Sequence, residues 1–136
     1  MDNLHCAIGI SQLKKIDIRN KKRMENKLSI IAGLDRCGII PGLQYTEKGC
    51  VESNQIFGLI FDDRDIIYNH LIKNGVEAKQ YFYPACHNQD FYARNYIHPD
   101  FPVTEEISQK IICLPMDADL TQTEIKYMIE KISEIV

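Results

Sequence analysis

The sequence lacks the residue spacings that metal and redox chemistry require. No Cys-X-X-Cys pair occurs among its five cysteines, which are odd in number and widely separated, so neither a zinc ribbon nor a thioredoxin-type site is expected. The four histidines also lie far apart, and we predict no metal site. Scattered thiols are typical of reduced proteins, which favours a cytoplasmic location.

Long apolar runs, a signal sequence and a strong charge imbalance are also missing. The longest apolar stretches fall far short of the roughly 20 residues that a membrane-spanning helix needs, so no membrane association is expected. A net charge of −3 gives no general attraction to nucleic acid. The basic run at 14–23 is predicted to form a solvated helix face. No glycine-rich phosphate loop or nucleophile elbow is present.

The composition is that of one globular domain. At 136 residues, 45% apolar, with seven glycines and five prolines, the chain can build a single core. Asp2 or Asn3 is placed to cap a first helix that is apolar nearly all round, as expected for a helix buried on several sides. Such a helix implies a partner, which is either a missing part of the same protein or another chain.

Apolar periodicity predicts the first half of the fold. A second helix carries Met24, Leu28, Ile31 and Leu34 on one face and ends near Gly38. Residues 56–61 are a near-continuous apolar run, predicted to be a buried strand. A helix that starts at Asp62 or Asp63 and stops at Asn74-Gly75 follows, and a second strand is predicted at 76–82.

The second half is predicted to be mostly helical. Residues 90–102 are predicted to be irregular, 104–112 helical and 113–116 extended. Thr121 and Glu124 have the spacing of a capping box, which begins a last helix with one apolar stripe. Strands alternating with helices in this way predict an α/β or α+β fold with a small sheet.

One stretch combines aromatic rings with polar side chains. Three aromatic residues at 81–83 precede Pro84, which cannot continue a sheet ladder, and Cys86 and His87 follow on a predicted loop. Such a stretch is either a pocket edge or an ordinary edge strand entering a turn, and both interpretations stay open. A Cys-His catalytic dyad is disfavoured because sequence neighbours on a strand point apart, so Cys86 is expected to be a packed thiol.

Five stretches carry motifs in this order: MDNLHCAIGISQL (1–13), DRDIIYNHLIKNGV (63–76), AKQYFYPACH (78–87), DFPVTEE (100–106) and ICLPM (112–116). Together they resemble the C-terminal part of the DegT/DnrJ family, pyridoxal-phosphate (PLP)-dependent nucleotide-sugar aminotransferases of the aspartate-aminotransferase fold. The version at 78–87 is similar to that of enzymes that aminate dTDP-linked keto-sugars of surface polysaccharides. The resemblance implies the small domain of a fold-type I PLP enzyme, with a small antiparallel or mixed sheet flanked by helices and a long N-terminal helical segment.

The resemblance also implies that the cofactor-binding residues lie outside this chain. In this family the lysine that forms the Schiff base, and the residues that hold the pyridine ring, belong to the larger domain upstream. Lys14, Lys15 and Lys79 fit no such context, so no catalytic residue is expected here and no cofactor in this chain alone. Residues 1–37 would be the helical connection from the large domain, and 38–136 the small α/β domain.

The implied substrate-binding residues are Tyr81, Tyr83, His87 and Lys79. The first three lie on the loop that closes over the sugar, whereas Lys79 stands where relatives often carry arginine, and an ammonium cannot reproduce bidentate binding. Two functions stay open. The first is the C-terminal part of an aminotransferase that moves an amino group from glutamate to a keto nucleotide sugar and is inactive alone. The second is a non-catalytic module that dimerises, or complements a separate large domain, through its first helix.

Overall fold

The computed structural model describes residues 2–96 and 99–136. Two helices open the chain, α1 (Asn3–Leu13) and α2 (Ile16–Arg36), and Oδ1 of Asp2 caps the first by accepting a 2.9 Å hydrogen bond from the His5 amide. Gly38, with φ of +76°, follows the end of α2, as predicted. None of the residues of α1 is buried in this chain, so the partner expected to cover this apolar helix stays a prediction. Its large apolar side chains are each more than half exposed: Leu4, Ile8, Ile10 and Leu13.

A small antiparallel sheet forms the centre of the fold. Its strands, in spatial order, are β1 (Gly42–Leu43), β2 (Phe57–Ile60) and β3 (Ile111–Leu114). The predicted helix at 104–112 is too long, since Ile111 and Ile112 pair with Ile60 and Leu59 of β2 and therefore begin a strand. The predicted small sheet flanked by helices, with a long N-terminal helical segment, is confirmed.

The core lies between one face of the sheet and three helices. Side chains alternate along β2, so that Phe57 and Leu59 are buried while Gly58 and Ile60 lie on the other, half-covered face. Helices α2, α3 (Arg64–Lys73) and α6 (Gln122–Ser133) bury their apolar stripes against the first face. The capping box of α6 is present as predicted. Within the described residues, no helix has both the length and the apolar character needed to cross a membrane.

The strand predicted at 76–82 does not form, and this prediction is wrong. Only Lys79 pairs with the sheet: its amide donates to the carbonyl of Cys113 at 2.9 Å and its carbonyl accepts from the Cys113 amide at 2.7 Å. The chain then turns back at once, because the amide of Tyr83 donates to the carbonyl of Gln80 at 2.9 Å. Aromatic composition favours a strand locally, but the turn takes these residues away from the sheet edge.

The segment predicted to be irregular at 90–102 contains a short helix, α4 (Asp90–Asn95). Ile97 and His98 lie outside the described residues. Helix α5 (Pro102–Lys110) begins with a proline at its first position, where the missing amide donor is not needed. It runs directly into β3, which begins at Ile111.

Candidate functional site

The turn at 80–83 presents two aromatic rings to an open groove. The rings of Tyr81 and Phe82 are tilted against each other with centroids 5.0 Å apart, and 39% and 66% of these residues are exposed. Two adjoining hollows, of about 410 and 550 Å³, share these rings and two isoleucines of α5 and β3. We call this surface the aromatic groove and define it by Tyr81, Phe82, Ile107 and Ile111. It is largely apolar, and one end opens onto the half-covered face of the sheet, at Gly58.

His87 lies at the other end of the aromatic groove, on a 3₁₀ turn (Cys86–Asn88). Its side chain is 11% exposed, its Nε2 lies 3.1 Å from Oε1 of Glu105, and its ring packs on Phe101 with centroids 4.9 Å apart. A carboxylate next to an imidazole nitrogen fixes the orientation of the ring. The groove therefore has one oriented polar side chain in a mostly apolar wall.

Lys79 lies beside a neighbouring hollow of about 230 Å³, which Tyr81 also lines. Its Nζ is 2.7 Å from Oε1 of Glu77. This hydrogen bond lowers the pKa of Glu77 and raises the pKa of Lys79. Both side chains face solvent, so the ammonium can exchange Glu77 for another anion at little cost.

The structure thus brings three of the four predicted residues to one surface. Tyr81 lines the hollow of His87 and the hollow of Lys79, and so connects them. Tyr83 lies outside both hollows, with its ring 4.7 Å from the guanidinium carbon of Arg64. The sequence reasoning missed three groove residues, Phe82, Ile107 and Ile111. It also missed Glu105, the carboxylate that faces His87. The signal for the last was its place in the DFPVTEE motif, and helical spacing on α5 places Ile107 on the groove side.

Several lysines are held in ion pairs, which do not favour a Schiff base with PLP. A lysine that forms a Schiff base must lose its proton, and a low pKa favours this. Five lysines instead form ion pairs with carboxylates: Lys22, Lys27, Lys79, Lys110 and Lys131. The hydrogen bonds that Lys110 donates to Asp62 and Glu106 raise its pKa to about 12, and the hydrogen bond that Lys131 donates to Glu134 raises the pKa of Lys131. At Lys79, Lys110 and Lys131, the raised pKa works against an attacking amine.

The chain is similar to known sugar aminotransferases along nearly its whole length. A sequence model of the DegT/DnrJ/EryC1/StrS aminotransferase family matches residues 1–133. A dTDP-4-amino-4,6-dideoxy-D-glucose transaminase of Shigella dysenteriae is 27% identical over 99% of this chain and 38% of its own length. Its Escherichia coli counterpart is 29% identical over 90% of this chain and 34% of its own.

A solved structure shows the same fold. A DegT DnrJ EryC1 StrS aminotransferase from Brucella abortus superposes with a TM-score of 0.78 and 18% identity, covering 92% of this chain and 33% of that one. The chain therefore spans about a third of the length of the curated relatives and the structure that it matches.

Proposed function

Because the chain belongs to the DegT/DnrJ/EryC1/StrS aminotransferase family, we propose that it is the small domain of an enzyme that transfers an amino group from glutamate to a keto nucleotide sugar. The family match over residues 1–133 carries this proposal. The two curated relatives, both transaminases named for a dTDP-linked amino sugar, support the substrate class. The enzyme would work in the cytoplasm and supply sugars for surface polysaccharides.

In this proposal the two parts of the chain have different roles. Residues 1–37 connect to a large domain, and 38–136 form the substrate-side domain. Helix α1 supports this division because its apolar side chains are exposed here, and contact with a large domain or a second copy of the chain would cover them. The same exposed helix supports the alternative, a non-catalytic module that assembles through α1.

In this proposal the aromatic groove and its neighbours receive the nucleotide sugar. Tyr81 and His87 contact the sugar, since rings pack on its apolar faces and an oriented imidazole bonds its hydroxyls. Lys79 attracts the phosphates as a point charge. Tyr83 supports the loop from behind. We expect the chain alone not to transaminate, because the family resemblance places the Schiff-base lysine upstream and carboxylate partners raise the pKa of Lys79, Lys110 and Lys131.

Binding can be tested on the chain itself by titrating the ¹⁵N-labelled protein with a dTDP-linked 4-amino-4,6-dideoxy sugar. At about 10 mM ligand even a millimolar site is mostly filled. We expect amide shifts confined to residues 77–87 and 105–111, and weaker shifts in Tyr81→Ala and His87→Ala. Tyr45→Ala is the matched control, because Tyr45 is an 81% exposed tyrosine outside the groove.

Two results would contradict the proposal. Shifts spread evenly over the chain, or an equal response of Tyr81→Ala and Tyr45→Ala, would remove the groove as the sugar site. Product formed by the purified chain from glutamate, PLP and a keto nucleotide sugar would disprove inactivity. A visible absorbance band with PLP that borohydride abolishes would show covalent cofactor binding and contradict the same statement.

A further inference from the structure

A buried arginine at the start of α3 has no evident role in the core. Arg64 is 2% exposed and is the only charged side chain buried among the described residues. Its Nη1 donates a long 3.4 Å hydrogen bond to the carbonyl of Ile111. Its Nε forms an ion pair with Oδ1 of Asp65 at 2.8 Å but is not aligned for a hydrogen bond. A buried charge with few hydrogen bonds is expensive, which calls for a role beyond packing.

Arg64 and its neighbour hold the two ends of the turn that presents the groove rings. The guanidinium carbon of Arg64 lies 4.7 Å from the ring of Tyr83, the last residue of the turn. Oδ1 of Asp65 accepts a 3.0 Å hydrogen bond from Nε2 of Gln80, the first residue of the turn. The turn itself closes by the hydrogen bond between the Tyr83 amide and the Gln80 carbonyl.

We propose that Arg64 and Asp65 form a clamp that fixes the 80–83 turn and so directs the rings of Tyr81 and Phe82 into the aromatic groove. Because Arg64 also bonds the carbonyl of Ile111, the clamp sets the distance between opposite groove walls. Both residues are positioning residues. The purpose of the groove rests on the proposed function, but the clamp is a property of the chain.

Amide hydrogen exchange tests the clamp at the Arg64 end. In Arg64→Met, which keeps the length but not the charge, the Tyr83 amide should exchange on the order of tenfold faster, because a desolvated cation–π contact is lost. Tyr83→Leu should behave similarly. Tyr83→Phe is the matched control, since it keeps the ring face and should leave exchange unchanged. Amides of α6 serve as the internal reference and should not change in any variant.

A double-mutant cycle tests the Asp65 end on exposed side chains. Asp65→Ala and Gln80→Ala should each speed Tyr83 amide exchange a few-fold, the effect of one hydrogen bond. The double variant should be no faster than Asp65→Ala, because that change already removes the hydrogen bond from Gln80. This arm decides the question even if Arg64→Met does not fold.

Unchanged Tyr83 exchange in Asp65→Ala and Gln80→Ala would overturn the clamp. An equal acceleration of Tyr83 and α6 amides in Arg64→Met would make Arg64 an ordinary core residue. The nucleotide-sugar titration separates the two proposals. If the variants speed Tyr83 exchange but the unmodified chain shows no amide shifts in the groove with the nucleotide sugar, the clamp is supported and the proposed function is contradicted. If a variant with faster Tyr83 exchange binds the sugar as well as the unmodified chain does, only the positioning role of Arg64 and Asp65 is contradicted.

Discussion

Helices α2 and α6 meet at a glycine, and replacing that glycine tests the packing of the core. A Cβ on Gly33 would lie 2.2 Å from Cδ1 of Ile129 and 3.2 Å from its Cγ1. Rotating the terminal methyl relieves only the first contact, and Ile129 is itself buried. Overpacking of this kind destabilises by about 1–3 kcal/mol. Alanine in a helix interior gains about 1 kcal/mol over glycine. Gly33→Ala should therefore lower the free energy of unfolding by up to about 2 kcal/mol.

The sign of this effect should depend on the residue at 129. Ile129→Val removes the methyl that clashes, at a cost of about 0.5–1.5 kcal/mol. In that background Gly33→Ala should be neutral or stabilise by up to about 1 kcal/mol, since mainly the helix-propensity gain remains. The coupling free energy between the two sites should be about 1–3 kcal/mol.

Urea unfolding followed by far-UV circular dichroism measures all four members of this cycle. With an m-value of about 1–3 kcal/mol/M for a small domain, a 1.5 kcal/mol change moves the midpoint by roughly 0.5–1.5 M. Equal m-values would show that only stability has changed. If Gly33→Ala has the same effect in both backgrounds, within about 0.5 kcal/mol, the close approach of α2 and α6 is wrong.

Three further predictions concern the last helix and the thiols. Thr121→Ala should destabilise by about 1 kcal/mol through loss of the α6 cap, as measured in urea. Hydrogen bonding by Thr121 lowers the pKa of Glu124 below its usual 4.5, so the stability that this carboxylate adds is present above pH 4.5 and is lost as the pH falls through the lowered value. The difference in urea midpoint between the unmodified chain and Glu124→Ala should thus shrink between pH 6 and pH 3, and a constant difference would contradict this. Burial raises the pKa of the Cys113 thiol. Ellman's reagent should therefore label the four exposed cysteines quickly and Cys113 only on unfolding. Rapid labelling of all five cysteines in the folded protein would contradict this.

Local patterns were sufficient to predict most helices but not every strand. The capping box at Thr121 and the glycine stop at Gly38 act within a few residues, so the sequence shows them directly. The 76–82 strand failed because pairing depends on a distant partner, and only Lys79 meets one, at Cys113. The predicted end of α5 is wrong for the same reason, because the pairing of Ile111 with Ile60 decides where β3 begins.

The candidate site also depends on contacts between residues that are distant in the sequence. Tyr81 and His87 are close in sequence, and both line one hollow in the structure. Residue spacing could not show that Tyr83 points away, because its ring packs on Arg64, which comes 19 residues earlier and folds back from α3. Their roles in binding stay predictions that the titration addresses.

The direct passage from α5 into β3 has a mechanical consequence for the groove. Lys110 ends the helix and Ile111 begins the strand, with no loop to absorb movement. The carbonyl of Lys110 accepts a 3.0 Å hydrogen bond from the amide of Phe61, and its ammonium lies 2.9 Å from Oδ1 of Asp62. Helix α5, which forms one wall of the groove, is therefore coupled to the sheet and cannot tilt independently of it. Because Arg64 and Asp65 also hold the opposite wall, the 80–83 turn, we expect the groove to admit only ligands that fit its existing width.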